Sequence, residues 1–150
     1  MPLLRAALSW NFVLATAICA SLLAQLIKVL LNLFIFHRFI AERMWGAGGM
    51  PSSHSATVCA MVVATGRYCG VNSPIFAIAA VLSIIVMYDA MGVRYETGEQ
   101  AKVLNRMFTE WMDQGFEQFQ LPHGKKLKEM VGHTPIEVVT GAALGIVLGF

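Results

Sequence analysis

From Ala6 to Phe36 the chain carries Lys28 and no other charged side chain. Few folds admit such a run. An α-helix needs about 20 largely apolar residues to cross a bilayer, and in hydrocarbon only helices and closed barrels satisfy their backbone polar groups. Arg5 ahead of the run gives it the opening of a secretory signal, but the apolar character persists past the ~7–15 residues of a signal core. The stretch, interrupted by Gln25, Lys28 and Asn32, therefore reads as a retained membrane helix: one span plus a second, interfacial or bent segment.

Three further apolar stretches follow, Ser55 to Tyr68, Pro74 to Tyr88 and Ile136 to Phe150. Each is somewhat short of the spanning length, so polar ends must reach into the interface. The last is rich in Gly and Ala, which suits close helix packing in lipid. Hydrophobic residues make up 57% of the 150 and charged residues 13%, where soluble chains average about 25% charged; mean hydropathy is +0.63. A soluble domain of this size could not hide that much apolar surface. The sequence predicts an all-α integral membrane bundle, a single domain over 1–150, with about four transmembrane helices. Between the third and fourth, Glu99 to Phe119 predicts an amphipathic helix with Val103, Leu104, Met107, Phe108, Trp111 and Phe116 along one side. It suits either the membrane surface or a cap over the site.

A net charge of +2, with no basic stripe interleaved with aromatics, excludes nucleic acid as a partner. Cys19, Cys59 and Cys69 lie in or beside apolar runs, at no metal spacing, and their odd number argues against a disulfide framework. They read as small packing residues.

Val71-Asn72-Ser73-Pro74 is a tight turn, so the second stretch leaves one membrane face and the third returns to it. Lys28, His54, Asp89, Arg94 and His133 then share a face. Nine of the eleven basic residues (Lys28, Arg38, Arg43, Arg94, Lys102, Arg106, Lys125, Lys126, Lys128) fall there, and only Arg5 and Arg67 on the other. The positive-inside rule puts that face in the cytoplasm, with a bacterial plasma membrane as the expected location.

Two segments on this face carry chemistry. In Gly48-Gly49-Met50-Pro51-Ser52-Ser53-His54, the glycines permit close backbone approach and the serines stand at N-cap positions. A helix start of this kind offers free N–H groups to an anion; it is equally a plain capped helix, except that His54 has no structural need to be there. In Gly132-His133-Thr134-Pro135-Ile136-Glu137, His133 and Glu137 are four apart on one helix face. A carboxylate there can fix the imidazole tautomer and leave the other nitrogen as a nucleophile; an interfacial His beside a chance acid is the plainer reading. Lys28, an ionisable group after an almost uncharged run, is either functional or a snorkelling side chain. Asp89 and Arg94 either pair or face a ligand, Arg being suited to bidentate phosphate contact. The set describes phosphoryl transfer with no metal or cofactor. His37 and His123 stand at no metal-ligand spacing from the others, and a two-histidine zinc site is the alternative.

These segments, together with Met87 to Arg94, Gln100 to Asn105 and Leu127 to Pro135, resemble the type 2 phosphatidic acid phosphatase and vanadium haloperoxidase superfamily. The likeness is to its divergent membrane branch and covers nearly the whole chain. It implies a phosphohistidine mechanism: His133 attacks phosphorus, Glu137 takes the place of the family's Asp, and His54 protonates the leaving oxygen. Lys28, Ser52, Arg94 and the backbone N–H groups around Ser53 hold the phosphoryl oxygens, with Asp89, Gly48 and Gly49 in support. The pattern departs from the superfamily in three ways: Ser53 stands for the motif Gly, no Arg-Pro follows the lysine, and Arg94 lies far upstream of His133. The implied activity is hydrolysis or transfer of a lipid phosphate or pyrophosphate, with vanadate as a mimic. Membrane lipids are the expected partners, and a homo-oligomer is compatible with the sequence. The alternative is a non-catalytic membrane protein that keeps an anion or lipid-headgroup pocket.

Overall fold

A computed structural model describes residues 11–36, 49–114, 126–129 and 131–150. Gly48, Arg38, Arg43, Phe116, His37 and His123, and the start of the first apolar stretch, lie outside them. Among the described residues all regular structure is helical: α1 (Phe12–Phe36), α2 (Ser53–Cys69), α3 (Pro74–Met91), α4 (Val93–Asp113) and α5 (Pro135–Gly149).

The helix starts follow local chemistry. Asn11 Oδ1 accepts the Leu14 N–H at 2.9 Å, and Ser52 and Ser73 cap α2 and α3 by accepting from Ser55 and Phe76. Pro74 and Pro135 sit in the first turns of α3 and α5, where a missing N–H costs nothing. Gly70 to Ser73 makes the predicted turn, and only Gly92 separates α3 from α4.

The first stretch departs from expectation. From Phe12 to Phe36 it is one unbroken helix of 25 residues, not a span plus a second segment. Gln25, Lys28 and Asn32 recur at spacings of three and four, so they fall on one face, continuing the buried Ala17, Ala20 and Ala24. That face turns toward the bundle and the polar groups need not break the helix. Lys28 consequently stands two turns before the helix end, about 12 Å short of it, and not at its terminus.

Among the described residues, two stretches are long and apolar enough to cross a membrane, Phe12–Phe34 and Pro74–Asp113, each with a hydropathy of 2.1. The sequence predicts four spans. α2 and α5, at 17 and 15 residues, fall short of about 20. α2 is the central helix, packed by α1, α3 and α5, and a helix enclosed by others has no need of an apolar surface all round.

The distribution of side chains is the reverse of that in a water-soluble bundle. Leu14, Ile18, Leu22, Leu26 and Leu30 of α1, Ile75, Ile78, Ile84 and Ile85 of α3, and Ile136, Val139 and Val147 of α5 point outward. The interior holds Ala20, Ala24, Ala56, Ala60, Ser55 and Ser83. In water this arrangement would forfeit about 25 cal/mol per Å² of apolar surface. In lipid it costs nothing, and small inward residues let backbones approach. The helices thus fit a membrane location.

The closest approach is between α2 and α5. Gly141, Gly145 and Gly149 recur every four residues on one face of α5 and are all buried. A Cβ on Gly141 would run into the carbonyl oxygen of Ser52, and one on Gly145 into that of Ala56. Gly149 meets Val63 and Ala60 in the same way. The pairs advance together along both chains, so α2 and α5 are parallel, with their N-termini at one end. Arg67 Nη1 donates to the Gly149 carbonyl at 3.2 Å at the other end, supplying a partner to an otherwise orphaned helix terminus.

Gly145→Ala should therefore lower the thermal midpoint in detergent, at a cost of about 1–3 kcal/mol. Val147→Leu, on an outward position, should leave it unchanged. Equal midpoints for both variants would refute the close contact.

Candidate functional site

Parallel α2 and α5 bring their two N-terminal segments together. Ser52 N–H donates to the Glu137 carbonyl at 3.0 Å. His133 lies just before α5, its N–H donating to the Ala90 carbonyl of α3 at 3.0 Å. One hydrogen bond thus ties it to the helix on the other side of α2.

His133 is 2% exposed. Its Nδ1 is 3.1 Å from Glu137 Oε2, and the same oxygen accepts the Thr134 N–H at 3.1 Å. A carboxylate accepting at Nδ1 places the proton there and leaves the lone pair on Nε2. Nε2 is buried and has no hydrogen-bond partner among the described residues. Buried polar atoms are almost always paired, so an unpaired basic nitrogen marks a place where a ligand atom belongs. The His54 ring stands edge-on to it, centroids 6.1 Å apart at 62°.

A small cleft opens at this point, lined by His54, Val86, Asp89, Ala90, Arg94 and His133. Arg94 Nε donates to Asp89 Oδ2 at 2.5 Å, and the two side chains are 51% and 38% exposed. Behind His133 is a second, buried layer. Lys28 is 2% exposed and lies along Gly49, whose φ of +88° suits glycine. Among the described residues, the charge of Glu137 acts on it, and the Gly49 backbone faces the same carboxylate. Glu137 therefore sits between a lysine and a histidine, as a charge partner to one and a proton-orienting partner to the other.

The residues predicted from sequence thus separate into two groups. His54, His133, Arg94 and Asp89 meet at the cleft. Ser52 and Ser53 are not among the residues that line it. The Ser52 hydroxyl is buried and spent on the helix cap, accepting from Ser55 N–H at 3.3 Å and Ser55 Oγ at 3.1 Å; Ser53 is buried in the first turn of α2. Lys28 lies in the inner layer, against Glu137 and Gly49. Among the described residues no cluster of three or more His, Cys, Asp or Glu stands at metal-ligand spacing.

The chain matches the Divergent PAP2 family over residues 9–148. It belongs to that family. It is also 38% identical over 144 residues to "Uncharacterized membrane protein YuiD" of Bacillus subtilis (strain 168), across 92% of this chain and 91% of that protein. No solved structure matches it.

This member of the Divergent PAP2 family has a feature that sequence reasoning missed: the way His133 is delivered. Asn105, buried in α4, donates from Nδ2 to the Leu127 carbonyl at 2.9 Å and to Glu129 Oε1 at 2.8 Å. Its Oδ1 accepts the Leu127 N–H at 2.8 Å. One amide thus holds both backbone groups of Leu127, as a neighbouring strand would. A Cβ on Gly98 would meet the Glu129 carbonyl, and one on Gly132 the backbone of Tyr95. The segment leading to His133 therefore lies directly on α4. The available signal was an asparagine on the small-residue face of an amphipathic helix, in register with Gly98 and Ala101.

Asn105→Ala should speed amide exchange at Leu127 and lower stability by about 1–3 kcal/mol, the cost of unpaired backbone groups. Hydrogen exchange read by mass spectrometry checks it. Unchanged protection over 126–133 would show that the clamp is dispensable.

Proposed function

We propose that this protein is a membrane phosphohydrolase that removes phosphate from a lipid phosphate or pyrophosphate through a phosphohistidine at His133. The observation that carries this reading is the buried, partnerless Nε2 of His133, whose ring lines a cleft that also contains His54 and Arg94. Family membership supports the reaction class.

The steps follow from the residues. The Nε2 lone pair attacks phosphorus as the P–O bond to the leaving group breaks. Protonated His54, on the neighbouring helix, gives its proton to the leaving oxygen. Water then attacks phosphorus as the P–N bond breaks, His54 takes the proton from the water, and the electron pair of the broken bond returns to Nε2. Glu137 stabilises the positive charge that His133 carries between the steps, as an acceptor already in place before the reaction begins. Arg94 offers its fork to the phosphoryl oxygens from the mouth of the cleft. Lys28 acts from behind, through the field it shares with Glu137.

In the same reading the chain spans the bilayer four times, through α1, α2, α3 and α5, with the cleft side in the cytoplasm of a bacterial plasma membrane. α4 lies at the interface: Gly98, Ala101 and Asn105 pack inward, while Val103, Leu104 and Met107 are exposed beside Lys102 and Arg106. A helix with an apolar face left outside its own bundle suits the headgroup boundary. A lipid phosphate would then reach the cleft laterally.

The second reading is a non-catalytic pocket for anionic headgroups. It is favoured by the withdrawal of Ser52 and Ser53 from the cleft and by the engagement of Arg94 with Asp89.

Incubation with labelled lipid phosphate should trap an acid-labile phosphoenzyme in the purified protein. His133→Ala should abolish it, His54→Ala should slow turnover by 10²–10⁴-fold, on the order of a lost general acid, and chelator should change neither. Anion binding without any turnover or trapped phosphate would select the headgroup pocket, and loss of activity to chelator a metal-dependent enzyme.

A further inference from the structure

We infer that Asp89 is a specificity-determining residue of the cleft, an internal competitor that occupies Arg94 until an anion able to take the whole guanidinium fork displaces it. This rests on the proposed phosphate-binding role of the cleft and adds the device that selects what enters it.

The geometry is specific. Asp89 lies in the last turn of α3 and Arg94 in the first turn of α4, on either side of Gly92. The break between the helices sets the two side chains facing each other, and Arg94 Nε donates to Asp89 Oδ2 at 2.5 Å. Both line the cleft beside His54 and His133. Neither is buried, so the pair stands at the mouth in high dielectric, where an ion pair is weak and exchangeable. Arg94 is also the cation that lines the cleft among the described residues; Lys28 lies behind it. An anion arriving at His133 therefore meets a guanidinium that already holds a carboxylate, and a negative charge beside it.

The outcome depends on the shape of the anion. A phosphate group presents two oxygens at the spacing of the fork and forms paired charge-assisted hydrogen bonds. Asp89 contributes one such bond, through Nε. A tetrahedral oxyanion thus exchanges with Asp89 on favourable terms, while a single-point anion such as chloride does not. A cleft open to a salt solution needs that distinction, since bulk chloride would otherwise fill an unpaired arginine beside the nucleophile. Product phosphate meets the same competitor and is released more readily.

The test uses the full-length protein in detergent or bilayer nanodiscs, with orthovanadate as the probe and chloride as the competitor. Asp89→Asn keeps the size and an acceptor oxygen but removes the charge. Vanadate should then bind about tenfold more tightly than to the wild type, a change of the size expected for one nearby charge at a partly exposed site. Binding to the variant should also become sensitive to chloride at concentrations that leave the wild type unaffected. Asp89→Ser should move in the same direction, which guards against an effect peculiar to the amide, and a thermal melt confirms folding. Unchanged or weaker vanadate binding in both folded variants would overturn the inference and make Asp89 a support for Arg94. Vanadate binding absent from the wild type and every variant would instead overturn the phosphate reading of the cleft itself.

Discussion

Backbone contact between α2 and α5 is the constraint from which the rest of the site follows. Gly141 and Gly145 leave no room for a Cβ against the carbonyls of Ser52 and Ala56, so the two helices run parallel in one register. With that register fixed, the segments that precede them must meet. The Ser52 amide reaches the Glu137 carbonyl, and His54 and His133 come to face each other although they lie about half the chain apart in sequence. A larger residue at either glycine would move the nucleophile relative to the acid, not merely loosen a helix.

Glu137 shows how little separates scaffold from chemistry here. One carboxylate oxygen receives the Thr134 amide, which completes the start of α5, and also the Nδ1 proton of His133. The acid that would support the histidine through a reaction is the acid that begins the helix. Removing it would cost both, so a substitution at this position cannot separate a folding defect from a chemical one. Asp89, outside such a network, can.

Much of this arrangement was legible in the sequence. The tight turn at Val71–Pro74 and the apolar stretches on both sides of it sufficed to put His54, Asp89, Arg94 and His133 at one end, because a span has two ends and a turn returns the chain to the first. Helix starts were equally legible, since Ser52, Ser73, Pro74 and Pro135 announce them by chemistry that acts over three or four residues. What was not legible depends on distance through space. Whether a serine hydroxyl faces a ligand or its own backbone is a matter of rotamer and cap geometry, and Ser52 turned to the cap. Sequence leaves Lys28 either functional or snorkelling, since a lone charge in an apolar run does not show which way it faces; in the fold it is buried in the polar stripe with Gln25 and Asn32, and the helix continues past it. The Asn105 clamp joins positions 22 residues apart, with no periodicity to reveal it.

The outward leucines and inward alanines have a thermodynamic consequence. When a soluble domain unfolds, apolar surface becomes hydrated, and the resulting large heat capacity bends its stability curve and allows denaturation in the cold. Separation of these helices within a bilayer would move Ala20, Ala56 and Ala60 from one apolar surrounding to another and bring them no water. The heat-capacity change should be small and the stability curve nearly straight, with an enthalpy that reflects lost packing. Calorimetry in bilayers would read this directly, and a strongly curved profile would mean that water enters the bundle as it opens.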